Sequence, residues 1–326
     1  MSEKIVAPGL YLRESFPLFE QMADAAQGWD LDFQQLSASV EPCWLEQYST
    51  AGMLYSRASF DSHFHQMGGP VVGFRTFALR AYGCSDFRWC DEVAYPNSLI
   101  VFPKGGQFES ISRPRFDIFT VSLSNTLLAH IAETEFQSQL SALLSEQGQI
   151  CHLAGSTVRG LRSLLHRFSN ELGRSCVDEA EPHGLLQGEE MEHMLARGIL
   201  GCLDRSQFSV RRYSRSKRMK ALEKALELIR WQATGKLCTS DLVSQAGVSR
   251  RTLESGFQEG IGVSPAAYLK ATRLRALNRN LLQTARDESS VANICQQHGF
   301  SHLGQLAADY RAMFGELPSV TLRRRR

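Results

Sequence analysis

The sequence predicts an α+β protein of two domains: an N-terminal antiparallel β sandwich or barrel with helices, and a C-terminal all-α domain with two helix-turn-helix units. Three observations predict it. The block GVSRRTLESGFQEGIGVSP, Gly247 to Pro265, returns in worn form as GFSHLGQLAADYRAMFGELP, Gly299 to Pro318. Short apolar runs punctuated by turn residues fill the region from Leu31 to about Leu123, the signature of antiparallel strands. Charge divides the chain: from Arg211 to Arg326, 21 Lys and Arg face 9 Asp and Glu, a net +12, whereas the remainder, 15 against 25, carries −10. The overall +2 hides this split. A basic segment beside an acidic body is the footprint of a domain that neutralises phosphates attached to one that does something else.

Composition sets the frame for these elements. The chain has 326 residues and 43% hydrophobic content, enough for about two cored domains and too much for a disordered chain. The opening MSEKIVAPGL has no apolar signal-peptide core, and no run approaches the ~18 apolar residues of a membrane helix. A cytoplasmic protein with no membrane partner is expected. The eight cysteines form no CxxC pair and are expected to stay reduced. Cys84 and Cys90, the closest two, read as small residues in or near strands or as a redox or metal pair, although five intervening residues match no usual ligand spacing.

In chain order, the runs CWLEQYS, GMLYSRASF, VVGFRTFAL, FRWC, SLIVFP and FDIFTVSLS predict the strands. Three amphipathic helical patterns follow, over roughly Asn125 to Glu146, Ser156 to Leu172 and Leu185 to Asp204. The tract CLDRSQFSVRRYSRSK, Cys202 to Lys217, reads as a linker or basic arm. The expected division is a β-rich domain over 1–204 with helices from about 125, a linker over 205–216 and a helical domain over 217–326.

Each C-terminal copy has one skeleton. A short helical pattern, Thr239 to Gly247 or Ser290 to Gly299, begins with a Ser or Thr able to cap it and ends on a glycine able to take positive φ. Ser249 and Ser301 then stand ready to cap a second helix. Its Leu and aromatic lie four apart on one face, Leu253 with Phe257 and Leu306 with Tyr310, and so pack back on the first. In a helix-turn-helix the second helix offers its N-terminal outer face to the major groove. The first copy places Arg250, Arg251, Glu254 and Ser255 there. Arginine makes bidentate bonds to guanine, a carboxylate accepts from cytosine N4, and serine serves base or phosphate. The second copy offers His302, Leu303, Gln305 and Ala308, with Arg311 a turn further on. The first helix is therefore expected to specify sequence and the second mainly to anchor.

SPAAYLKATRLRALNRNLLQTA, Ser264 to Ala285, reads as one long linking helix with Ser264 as N-cap and Pro265 at its first position. Some 20 helical residues span roughly 30 Å, close to the ~34 Å turn of B-DNA, so one chain can set two reading helices into successive major grooves. Arg273, Arg275 and Arg279 on this helix are candidate phosphate contacts.

With these motifs in place, the segment from about Lys217 to Arg326 resembles the DNA-binding domain of the AraC/XylS family of transcription regulators. The likeness is carried by RMKALEKALELIRWQA, GVSRRTLESGFQEGIGVSPAAYL and RLRALNRNLLQ with SVANICQQHGFSHLGQLAADYRAMFGELP. It implies a seven-helix domain with two helix-turn-helix units, base contacts from Arg251, Glu254 and Ser255, and a second reading face of Leu303, Gly304, Gln305 and Ala308. Gly256, Gly304 and Ala308 depart from the residue types usual in the family. The resemblance further implies promoter double-stranded DNA and RNA polymerase as partners, an activator or dual regulator, and a cupin-like N-terminal domain that binds a small effector or a regulatory protein and whose helices form a homodimer.

His63 and His65 in FDSHFHQMGG form an HxH that on a strand would turn both rings to one face. They read as loop or surface residues, effector contacts or metal ligands; the glutamate and later histidine of a metal-binding cupin are absent from the expected places, and no cofactor is expected. The aromatics Phe60, Phe64, Phe74, Phe77, Phe87, Trp89 and Phe102 read as core or as pocket lining. No phosphate loop, nucleophile elbow or paired metal-binding helix is present, and the Gly105–Gly106 pair in PKGGQF reads as a turn between strands. A non-enzymatic regulator is the leading expectation, against a cupin-type metal-dependent enzyme domain fused to a DNA-binding domain.

Overall fold

The computed structural model describes residues 8–38, 41–90, 92–104, 107–136, 148–175, 184–204, 216–232, 237–284 and 290–323. They form two compact units. The first comprises the described residues of Met1–Asp32, Glu41–Asp61 and Gln66–Arg211, the second those of Phe33–Val40, Ser62–His65 and Arg212–Arg326.

The β-rich part begins with β1 (Tyr11–Phe16), α1 (Phe19–Ala25), β2 (Asp30–Gln35), β3 (Cys43–Ser49), β4 (Met53–Phe60), β5 (Phe64–Gly69) and β6 (Phe74–Arg80). It continues with β7 (Phe87–Trp89), β8 (Glu92–Ala94), β9 (Ser98–Val101), β10 (Phe108–Ile111), β11 (Phe116–Ser124), α2 (Asn125–Glu135) and β12 (Gln149–His152), and ends with α3 (Gly155–Ser175) and α4 (Gly184–Asp204). Two sheets result, ordered β1-β3-β4-β11-β6-β9-β12 and β2-β5-β10-β7-β8. All the described pairings are antiparallel, as the turn-punctuated runs predict.

The larger sheet is buried on both faces, and the two-residue period of a strand decides which side chain goes where. Tyr55, Phe77, Leu79, Leu99, Val101, Phe119 and Val121 share one core with the helices. There α3 contributes Val158, Leu161, Leu165, Phe168 and Leu172, spaced three and four apart, and α4 contributes Leu195, Ile199, Leu200 and Leu203. Glu46 is buried among these residues and accepts from Ser169 Oγ at 2.5 Å and Tyr55 OH at 3.3 Å, with Arg13 Nη1 at 3.4 Å. Burial raises its carboxyl above the ordinary glutamate value despite these partners. Leu45, Ser56, Ala58, Phe60, Phe116 and Ile118 point to the opposite face.

Several sequence expectations are corrected here. Strands begin at Tyr11 rather than near Leu31, and β12 follows α2. β1 and β12 are the two edges of the larger sheet and carry YLRESF and QICH, which lack the continuous apolar run of a strand buried on both faces. α2 is described to Glu135, and the remainder of its predicted span, like most of the predicted linker and the Gly105–Gly106 turn, lies outside the described residues. Cys84 is buried, whereas Cys90 is exposed.

The helical part contains α5 (Lys217–Trp231), α6 (Thr239–Ala246), α7 (Arg250–Gly260), α8 (Pro265–Gln283), α9 (Val291–Gln297), α10 (Leu303–Phe314) and α11 (Pro318–Arg323). In α7 the buried positions Leu253, Gly256, Phe257 and Gly260 follow the i, i+3, i+4, i+7 stripe. Two of them are glycines for a reason of space. A Cβ on Gly256 would lie 2.6 Å from the Arg218 carbonyl oxygen of α5, and one on Gly260 would lie 2.2 Å from Leu222 Cδ2. The second half closes around Leu274, Leu277 and Leu281 of α8, with Ile294, Leu306, Tyr310, Phe314 and Leu322. The described α8 thus backs both halves as one helix, as its Ser-Pro start predicts, with Ser264 Oγ accepting from Ala267 N.

Candidate nucleic-acid interface

The two turns adopt the backbone that the repeat requires. Gly247 and Gly299 have φ of 65° and 77°, a region in which a residue with a Cβ is strained, and each closes the first helix of its pair. Ser249 Oγ accepts from Thr252 N at 3.2 Å and so caps α7. Ser290 Oγ caps α9 in the same way through Asn293 N. Two caps differ from expectation. α6 starts from Cys238, whose N–H donates to Asp241 Oδ2 at 2.7 Å, rather than from Thr239 or a serine. The Cys238 thiol and N–H together hold the Asp241 carboxyl below its ordinary value. α10 starts after His302 rather than Ser301 and has no side-chain cap, which is tolerable because Ser301 to Gln305 are all exposed and water can serve the first-turn amides.

On α7, Arg250, Arg251 and Glu254 are exposed and Ser255 is half-buried. Arg250 Nε donates to Glu254 Oε1 at 2.9 Å one turn on, a pairing that orients both side chains on the outer face. On α10, His302, Leu303, Gln305 and Arg311 are exposed, Leu303 to 46%. The 19 residues of α8 span about 28 Å, short of one B-DNA turn by only a few ångströms. The arginines of α8 are not equivalent. Arg273 is half-buried and donates to the Leu237 carbonyl, Arg275 is half-buried with its guanidinium 4.3 Å from the Phe33 ring centroid, and Arg279 is exposed.

Residues missed by sequence reasoning hold the second helix-turn-helix unit in place. Lys270 Nζ of α8 lies 2.6 Å from Asp309 Oδ2 of α10. The buried Tyr310 hydroxyl lies 2.5 Å from Asn278 Oδ1 and 3.0 Å from Thr321 Oγ1, which donates to Glu316 Oε1 at 2.6 Å. Asn280 Nδ2 lies 3.1 Å from His298 Nε2, and burial lowers the pKa of that histidine. No local pattern announces these pairs, because the partners of α8 stand on other helices.

A family model described as a helix-turn-helix domain matches residues 242–324, the span from α6 to the end of α11. The C-terminal domain belongs to the AraC/XylS family. The chain is 32% identical over 162 residues to a XylDLEGF operon transcriptional activator of Pseudomonas putida, covering 50% of this chain and 48% of that one. It is 33% identical over 99 residues to a probable thc operon regulatory protein of Rhodococcus erythropolis, covering 30% of each. The chain thus spans about half the length of the first relatives it matches, or less. A crystal structure of a probable AraC family transcriptional regulator from Rhodopseudomonas palustris is 37% identical over 32% of this chain and 97% of that one, with a TM-score of 0.30. The AraC/XylS domain of this chain keeps the repeat glycines and the Leu-aromatic pairs on which the sequence reading rests, and it adds Gly256 and Gly260 where α7 meets α5.

The HxH pair is split between two settings. His63 is half-buried just before β5, whereas His65 is in β5, 2% exposed, with Nδ1 2.8 Å from Tyr268 OH in the same unit. His65 is thus neither a loop nor a surface residue, because the hydroxyl satisfies its ring nitrogen and permits burial. Among the described residues, no group of three His, Cys, Asp or Glu is placed to hold a metal ion, and no helix is long and apolar enough to cross a membrane.

Proposed function

We propose that the chain is a sequence-specific transcription regulator that binds promoter double-stranded DNA, with α7 and α10 entering successive major grooves. The observation that carries this reading is the duplicated helix-turn-helix on a single helix, with the N-terminal outer faces of both second helices exposed. Arg251 takes the guanine-reading role on α7, the Arg250–Glu254 pair contacts a neighbouring base or phosphate, and Ser255 lines the groove wall. His302, Leu303, Gln305 and Arg311 anchor α10, where fewer bidentate pairs are available. On α8, Arg279 is the phosphate contact, while Arg273 and Arg275 set the helix in its unit. The domains are those of the sequence division, except that the described residues of Phe33–Val40 and Ser62–His65 cluster with the helical unit, with the β-rich part receiving a small effector or a partner protein and α3 and α4 forming a homodimer surface. By likeness to relatives named transcriptional activators, the chain activates transcription through contact with RNA polymerase in the cytoplasm, and acts by binding rather than catalysis.

Single base-pair substitutions across a bound promoter site, with full-chain affinity measured at one fixed salt concentration, test the assignment. The half-site under α7 is expected to lose several kcal/mol when scrambled and the half-site under α10 roughly 1 kcal/mol. Greater sensitivity under α10 reverses the roles, and a flat profile across both half-sites rejects sequence-specific reading.

A further inference from the structure

A cavity of about 90 Å³ lies within the first unit, between the face of the larger sheet that turns away from the helices and the smaller sheet. Its walls are aromatic, with Trp29, Phe60, Phe102, Phe108 and Phe116 among them, and none of its lining residues is charged. Most of its polar side chains do not call for a ligand. Gln47 Nε2 donates to Ser56 Oγ at 2.9 Å, and Gln47 Oε1 accepts from Gln27 N at 2.7 Å.

Two lining residues differ. Trp89 of β7 and Ser110 of β10 are directly opposed across the antiparallel pair, so their side chains leave the sheet on one face as neighbours. Both line the cavity and are 3% exposed, yet the Trp89 indole N–H and the Ser110 hydroxyl find no hydrogen-bond partner among the described residues. Buried polar groups in folded proteins are bonded, and leaving a neighbouring pair unbonded in an aromatic cavity is costly. A molecule with an apolar body and one acceptor would satisfy both donors while filling the space.

We infer that this cavity binds a small uncharged molecule with a single-ring apolar body and one hydrogen-bond acceptor, anchored by the Trp89 indole N–H and the Ser110 hydroxyl. At about 90 Å³ the cavity is smaller than the ~150 Å³ that holds benzene, so the apolar body can be no larger than a single ring and the walls must give to admit it. Charge is excluded because a carboxylate would enter hydrocarbon with no cation to meet it. The inference deepens the regulator reading and rests on it only for the consequence, that occupancy is the signal the DNA-binding domain answers.

The test is titration of the full chain with acetophenone, ethylbenzene and benzoate, probes of similar size bearing a neutral acceptor, no acceptor and a charged one. Binding is followed by calorimetry and by tryptophan fluorescence, since Trp29 and Trp89 line the cavity. Acetophenone is expected to bind about tenfold more tightly than ethylbenzene, the worth of one or two net hydrogen bonds, and more tightly than benzoate at neutral pH. Ser110→Ala should remove most of the acetophenone advantage and leave ethylbenzene within about twofold. Trp89→Phe, read by calorimetry, gives the same answer should Ser110→Ala fail to fold. Benzoate binding tightest, equal loss of both neutral probes in Ser110→Ala, or no binding of either neutral probe up to its solubility would overturn the inference. Promoter binding by the unliganded chain, measured on the same samples, separates the two claims: retained DNA binding without probe binding overturns the cavity alone, and the converse overturns the regulator reading alone.

Discussion

Two glycines, one in each reading helix, are expected to respond in opposite directions to the same substitution. Alanine is favoured over glycine in a helix interior by about 1 kcal/mol, so Gly→Ala stabilises wherever a methyl group fits. At Gly304 in α10 it fits, since a Cβ there meets nothing within 4 Å, and Gly304→Ala should stabilise the helical domain by about 0.5–1 kcal/mol. At Gly256 the new Cβ would stand 2.6 Å from the Arg218 carbonyl oxygen, an atom of the α5 backbone that cannot swing aside. Either α7 or α5 must then move by the better part of an ångström, an overpacking cost of about 1–3 kcal/mol. With the propensity gain subtracted, Gly256→Ala should destabilise by roughly 1 kcal/mol on balance. For a domain of about 100 residues this lowers the midpoint by some 4–8 °C, while Gly304→Ala raises it by a few degrees. Differential scanning calorimetry of the full chain, following the transition of the helical unit, reads both. Equal stabilisation by the two variants would refute the claim that α7 is seated directly on the backbone of α5.

Arg251→Ala should cost about 1–3 kcal/mol against the cognate duplex and relax preference at one base pair, checked by competition with single-substituted duplexes; equal loss on random DNA would make Arg251 a phosphate contact. Arg273→Ala should lower the stability of the helical unit by about 1–2 kcal/mol in thermal unfolding, because it strips the Leu237 carbonyl of its partner. Tyr310→Phe should cost about 1–3 kcal/mol by leaving Asn278 Oδ1 short of its donor, with faster hydrogen exchange in α10 than in α7. Burial raises the Glu46 carboxyl, so the folded chain binds that proton more tightly than the unfolded chain. The contribution is full below the ordinary glutamate range and is lost as pH rises through the raised value, and Glu46→Gln should flatten that part of the stability profile in denaturant titrations.

What was legible in the sequence was whatever local chemistry writes down. Gly247 and Gly299, the Ser249, Ser264 and Ser290 caps and the Leu-aromatic pairs each act within one turn of helix, and the structure has them where the repeat puts them. The inner strands were legible because burial on both faces makes them apolar, whereas the edge strands β1 and β12 were not. Nonlocal chemistry was not legible either. Lys270 with Asp309, Arg273 with the Leu237 carbonyl and His65 with Tyr268 join residues distant in sequence, so no spacing points to them. The crowding at Gly256 lay equally hidden, since only the approach of α5 gives that glycine its meaning.

The central claim is that one chain reads two successive major grooves from one side of the duplex, and helical phasing tests it most directly. A bound promoter site is prepared with 5 base pairs inserted between its half-sites, half a helical turn, and again with a full turn inserted, and full-chain affinity is measured at constant salt. Because the described α8 carries both halves on one helix, the account predicts that either insertion removes the contribution of the α10 half-site and leaves only that of α7, since the helix spans one groove repeat and no more. Affinity unchanged by the 5-base-pair insertion would contradict it, for then the two helix-turn-helix units do not read the duplex together.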